Sequence, residues 1–132
     1  MKNFMLLAFN ILILSSASLS QTSNQNLNFC KQYFRAEGLI QLALKYKNVG
    51  LNVTLLDEAS KAATRAETTL TEMEPSLTKK LTVQEVGDLK SSIKFIKERA
   101  SEELDDNSVM KITLWLQLSE KKLTPIFLKI MK

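Results

Sequence analysis

Apolar residues recur along much of this chain at the three- and four-residue spacing of an amphipathic helix. The clearest case begins at Thr82, which with Glu85 forms a capping box, the motif in which two side chains bond the first backbone N–H groups of a helix. The apolar stripe behind it consists of Val86, Leu89, Ile93, Ile96, Ala100 and Leu104. A helix with such a stripe must bury it against another element. We therefore predict an all-α fold, a compact bundle of about four helices plus a short C-terminal helix.

Two earlier segments show the same periodicity. Residues 27–47 form the first predicted helix, which Gly50 would end as a left-handed cap. The second is predicted to begin at Asn52 or Thr54 and to end before Pro75, because the residue preceding a proline disfavours helical geometry. Its stripe is rich in alanine, which predicts a closely packed neighbour: Leu56, Ala59, Ala63, Ala66, Leu70 and Met73.

The C-terminal segment 109–132 fits two structures. Its apolar residues alternate with other residues, as in a strand, at Ile112, Leu114, Leu116 and Leu118. The segment also fits a helix, and leucine favours helices, so we predict a helix and keep a β-hairpin as the alternative. Thr124 followed by Pro125 is typical of a helix start, which predicts a separate short helix over Pro125–Met131.

The N-terminus has the pattern of a secretory signal peptide. Lys2 precedes an apolar run at residues 4–14, and the small residues Ser18 and Ser20 suit cleavage before Gln21. The run is short for a membrane-spanning helix, which needs roughly 20 apolar residues. We therefore predict cleavage of this segment and export, with the mature protein in the periplasm or outside the cell.

This pattern divides the chain into three parts. Residues 1–20 are the predicted signal peptide, and the polar residues 21–26 are predicted to be a flexible leader. Residues 27–132 have the length of a single small domain, and we expect them to form one helical domain.

The composition excludes several chemistries. The chain has 132 residues, with no histidine, one cysteine and three glycines. Ser-His-Asp catalysis, histidine-bound haem, four-thiolate metal sites and glycine-rich phosphate loops are therefore excluded. Acidic pairs at 102–103 and 105–106 lack the ligand spacing of a calcium loop, and residues 105–108 are typical of a turn and helix cap. We predict no catalytic, cofactor or metal site.

Three residues are candidates for contacts outside the fold. Cys30 could form an intermolecular disulfide, although beside Phe29 it is also typical of a buried core residue. Trp115 and Phe127 lie in the basic, leucine-rich segment 109–132, whose composition suits both an interfacial membrane helix and a core helix. We expect core packing and keep contact with a membrane or partner as the alternative.

Two further features, a glycosylation sequon and the small number of arginines, bear on the function less directly. Asn52-Val53-Thr54 is an N-glycosylation sequon, which matters only in a eukaryotic secretory pathway. Only three arginines occur, and the aromatic residues do not alternate with a dense basic patch, so we predict no nucleic-acid partner.

Three classes of function remain. We expect a non-enzymatic protein that binds a protein partner, as an inhibitor, an immunity-type protein or an accessory protein, and that is itself a monomer or a weak homodimer. The alternative is a membrane-surface or lipid-binding protein that acts through segment 109–132. An enzyme that uses carboxylates or lysine ranks last. An apolar patch left exposed on the folded bundle would favour the first class.

Overall fold

The computed structural model describes residues 21–46, 49–101 and 105–132. The predicted signal peptide therefore lies outside the described residues, as do Glu102, Glu103 and Leu104. The described residues form four α-helices and no strand: α1 (Gln21–Lys45), α2 (Val49–Leu77), α3 (Val83–Ala100) and α4 (Asp106–Met131). The prediction of an all-α bundle of about four helices is confirmed, and the β-hairpin alternative over 109–131 is wrong.

Two of the predicted helix starts have the expected caps. The Thr82 hydroxyl accepts a hydrogen bond from the Glu85 backbone N–H at 3.1 Å, and the Glu85 carboxylate accepts one from the Thr82 N–H at 2.9 Å. At the start of α4, the Asp105 carboxylate accepts a hydrogen bond from the Ser108 N–H at 2.7 Å. Both caps satisfy backbone donors that have no partner within the helix.

The starts of α1 and α2 differ from the prediction. Segment 21–26, expected to be a flexible leader, is helical and forms the first turns of α1. The second helix begins at Val49, so Gly50 is helical instead of a left-handed cap. Thr54 is not a cap, because its hydroxyl donates to the Gly50 carbonyl at 3.2 Å from within the helix. A hydroxyl that bonds back to the preceding turn is compatible with a continuing helix.

Both prolines lie inside helices. Pro75 stands in the last turn of α2, which ends at Leu77, three residues beyond the predicted end at Glu74. Pro125 stands inside α4, and the separate helix predicted over Pro125–Met131 is wrong. A proline inside a helix removes one backbone bond and costs about 3 kcal/mol. Burial of the same α4 face on both sides of the proline offsets this cost, since Leu123 precedes it and Ile126 follows it in the core.

The helices α1 and α2 form the largest helix–helix interface. The alanines of the predicted α2 stripe, Ala59, Ala63 and Ala66, are all buried, and so is Ala62. The next helix, α3, packs on α2, and its Lys97 bonds the Glu67 carboxylate at 3.1 Å. Small side chains let the first two helices approach closely, as the sequence predicted.

Aromatic rings join α4 to α1. The Phe127 ring lies 5.0 Å from that of Tyr33 and 4.9 Å from that of Phe34, measured between centroids. Nearer the helix ends, the Asn26 side-chain amide donates to the Ile130 carbonyl at 3.2 Å. These contacts fix which face of α4 points inward, and the opposite face is left uncovered within the described residues.

Candidate functional site

The last helix has two apolar faces. Its inner face is buried and consists of Ile112, Leu116, Ser119, Leu123, Ile126, Phe127 and Ile130. On the outer face, Met110 is 72% exposed, Leu114 56% and Leu118 59%. The outer face continues through Lys121 and Pro125, both exposed, to Leu128. We call the six residues from Met110 to Leu128 the outer row.

The two faces explain the alternation in the sequence. Residues two apart on a helix lie about 200° apart around its axis, at 3.6 residues per turn. Ile112 and Leu116 therefore face the core, while Leu114 and Leu118 face outward. A helix with apolar residues on both sides produces the two-residue period of a strand, which is why this segment was ambiguous.

A groove lies beside the outer row where α4 meets α3. Its lining includes a stacked pair, Phe95 of α3 and Trp115 of α4, with ring centroids 3.9 Å apart and planes inclined by 15°. The Arg99 guanidinium lies over the Phe95 ring, 5.0 Å from its centroid. The groove has a volume of about 440 Å³ and is also lined by Ser108, Lys111, Ile112, Leu114 and Leu118.

A second, more open groove of about 890 Å³ continues along α4. It shares Leu114 and Leu118 with the first and is also lined by Gln117, Glu120, Lys121, Thr124 and Pro125. The shared leucines make the two grooves one continuous surface about the outer row. Large apolar side chains clustered on a surface commonly mark a site of interaction, whereas single ones need no explanation.

The lysines of α4 fall into two groups. Lys122 pairs with Asp88 at 3.1 Å and Lys129 with Glu85 at 2.6 Å, so both join α4 to α3. The Lys129 ammonium, followed by the Thr82 backbone N–H, holds the pKa of Glu85 below its usual value. In contrast, Lys111 lines the first groove and Lys121 lines the second. Two of the α4 lysines thus link α4 to α3, while Lys111 and Lys121 lie at the grooves, where Lys111 also interacts with the Asp105 carboxylate.

The two aromatic candidates have different positions. Phe127 is only 4% exposed and belongs to the aromatic cluster with α1. Trp115 is half-buried, because one of its faces stacks on Phe95 while the side chain lines the open groove. Of the pair, only Trp115 can contact a partner without a rearrangement of the core.

Cys30 lies in the core at 1% exposure, and its Sγ is 3.9 Å from the Met131 sulfur. Burial raises the pKa of the Cys30 thiol to about 12. A disulfide to a second chain would require this sulfur to be accessible and ionised. Asn52, the sequon residue, is half-buried in the first turn of α2.

One buried acid was missed in the sequence analysis. Glu37 is 6% exposed on α1 and accepts a hydrogen bond from the Gln41 amide at 3.5 Å. Burial, followed by the charge of Glu120 on α4, raises the pKa of Glu37 to about 7. The available signal was its position between Tyr33 and Ile40, on the stripe that faces the core.

Two features are absent from the described residues. No group of three or more cysteine, aspartate, glutamate or histidine side chains there could hold a metal ion. None of the described helices combines the length and apolar composition needed to cross a bilayer.

The described residues define a small all-α protein whose last helix presents an apolar outer face. No protein-family model matches the chain, and no curated protein or solved structure shows significant similarity to it.

Proposed function

We propose that this protein is exported and acts without catalysis, by binding a protein partner through the outer row of α4. The outer row carries the proposal, because Met110, Leu114 and Leu118 expose apolar side chains next to a half-buried Trp115. Aromatic residues and exposed apolar side chains around a groove are typical of the centre of a protein–protein interface.

Export is proposed from the sequence. The charged start at Lys2, the apolar run at 4–14 and the small residues before Gln21 support it. An inhibitor, an immunity-type protein or an accessory protein would each use a rigid helical surface of this kind.

The experiment is site-specific photocrosslinking. A photoreactive phenylalanine analogue replaces Leu118, and the protein is incubated with the extracellular or periplasmic fraction of its source. The matched control carries the analogue at Val53, an exposed apolar residue of α2 that is 62% exposed and lies outside both grooves. We expect a discrete crosslinked protein from position 118 that is absent from position 53.

Competition makes the result specific to the surface. Excess unlabelled protein should suppress the crosslink, and the same protein with Leu114→Asp and Leu118→Asp should not. Both leucines are exposed, so these substitutions should leave the helical circular dichroism unchanged. Equal suppression by the two competitors would contradict the assignment of the binding surface to α4.

A further inference from the structure

We propose that the outer row binds an amphipathic helix whose apolar side chains are flanked by carboxylates. This inference rests on the proposed function and adds the chemistry of the partner. Two properties of the described surface lead to it: the spacing of the outer row and the charge around it.

The spacing indicates a helical partner. Along the outer row, from Met110 to Leu128, successive residues are separated by four, four, three, four and three positions. Residues at this spacing lie along one side of α4, where a second helix can pack beside them. From Met110 to Leu128 the row extends over about 27 Å, which corresponds to about five turns of a partner helix. A β-strand partner would need an exposed sheet edge, and the described residues contain no strand.

The charge indicates an acidic partner. Lys111 lines the first groove and Lys121 the second, so an ammonium group lies near each end of the Leu114–Leu118 pair. Arg99 also lines the first groove, although Glu98 lies 3.7 Å from its guanidinium and shares its charge. Among the described residues that line the two grooves, Glu120 is the single carboxylate, and the Asp105 carboxylate at the start of α4 also interacts with the charge of Lys111. Complementary charge at the edge of an apolar interface selects among partners more than it adds affinity.

The same charges disfavour a second copy of this chain as the occupant. An antiparallel pairing that sets Leu114 of one copy against Leu118 of the other also sets Lys111 against Lys121. A parallel pairing places Lys111 opposite Lys111 of the second copy, and Lys121 opposite Lys121. Like charges placed directly opposite each other are destabilising, so self-association would have to overcome the repulsion of these lysines.

The test uses two synthetic helical peptides of about five turns, with leucines at the same three- and four-residue spacings. One peptide carries glutamates beside the leucines, and its matched control carries lysines at the same positions. Neither contains tryptophan. The chain has a single tryptophan, and Trp115 lines the first groove, so its fluorescence reports binding at this site.

We expect the acidic peptide to bind about tenfold more tightly than the basic one, as two or three rim ion pairs would allow. The protein with Lys111→Glu and Lys121→Glu should prefer the basic peptide, and Leu118→Asp should weaken both. Equal affinities for the two peptides, or an unchanged preference after the charge reversal, would overturn the inference.

Other outcomes identify other occupants. If neither peptide binds while the Leu118 crosslink succeeds, the acidic helix is wrong and the proposed function stands. If the crosslink fails as well, the acidic helix and the proposed binding through the outer row are both wrong. A salt-sensitive blue shift of Trp115 with phosphatidylglycerol vesicles, with no peptide binding, would identify a membrane surface instead. Concentration-dependent dimerisation that Leu118→Asp abolishes would identify a second copy.

Discussion

Replacement of Glu37 by glutamine should change how the stability of this protein depends on pH. Glu37 is buried between helices and near Glu120, and both the burial and that charge disfavour its ionised form. Glutamine has nearly the same shape and cannot ionise. The variant therefore imitates the protonated acid at every pH.

The magnitude follows from the two pKa values. The pKa of Glu37 is raised from 4.5 to about 7 in the folded protein. Between these values the folded state retains a proton that the unfolded state has released, so the free energy of unfolding falls as pH rises. Each pKa unit corresponds to 1.36 kcal/mol, which makes the total loss about 3 kcal/mol, reached once the pH exceeds the folded pKa. Below the unfolded pKa this loss is absent.

Urea unfolding from about pH 4 to about pH 8 tests the reasoning. We expect Glu37→Gln and the unchanged protein to have similar free energies of unfolding at the acidic end. The variant should become more stable by up to about 3 kcal/mol at the alkaline end. Subtracting the free energy of unfolding of one protein from that of the other cancels the contributions of the other acids, including Glu85 and Asp105. Curves that stay parallel over the whole range would show that Glu37 is ionised without penalty in the folded protein.

A second variant separates the two causes. Glu120→Gln removes the neighbouring charge and leaves Glu37 buried, so the pH-dependent loss should shrink without disappearing. Glu72→Gln makes the same chemical change at an exposed position of α2. Its free energy of unfolding should differ from that of the unchanged protein by the same amount at every pH. If Glu72→Gln reproduced the effect of Glu37→Gln, the pH dependence would come from net charge instead of burial.

Three further predictions concern other parts of the chain. Ile93→Ala in the buried stripe of α3 should lower the free energy of unfolding, measured with denaturant, by roughly 2–4 kcal/mol, and Lys94→Ala at the exposed neighbouring position should lower it by under about 0.5 kcal/mol. Equal small losses would mean that α3 packs through another face. Thr82→Ala removes the hydroxyl that caps α3 and should lower the free energy of unfolding by about 1 kcal/mol, whereas the same substitution at the exposed Thr113 should lower it less. If Thr82→Ala left the stability unchanged, water would cap the helix as well as the hydroxyl does. Mass spectrometry of the exported protein should find an N-terminus near Gln21, and an intact Met1 in most of the mature pool would contradict the predicted signal peptide.

The parts of the fold that the sequence predicted correctly have local causes. The Thr82–Glu85 capping box and the Asp105 cap depend only on residues within one turn, and both are present. The stripe from Val86 to Ile96 is buried as its spacing requires. In these places one energetic preference dominates, and the residues near it in the chain are sufficient to reveal it.

The errors arose where distant contacts override local preference. Pro125 is a good helix start in isolation, yet α4 continues through it because the inner face is buried on both sides. Segment 21–26 has no apolar pattern, yet Asn26 is buried and bonds the carbonyl of Ile130 from the other end of the chain. Contacts between residues so far apart in the chain cannot be inferred from local periodicity.

The outer row shows why a surface is harder to predict than a core. Ile112 and Leu114 are similar residues, and nothing in their chemistry says which of them faces inward. The inner face of α4 is determined by Phe127 against Tyr33 and Phe34, contacts that lie far along the chain. Once that face is fixed, Leu114 and Leu118 are left outward and more than half exposed, where an apolar side chain gains less from folding than it would in the core. Lysine and glutamate form helices about as well as leucine. The presence of leucine at these exposed positions is therefore the physical reason to look for a partner that covers them.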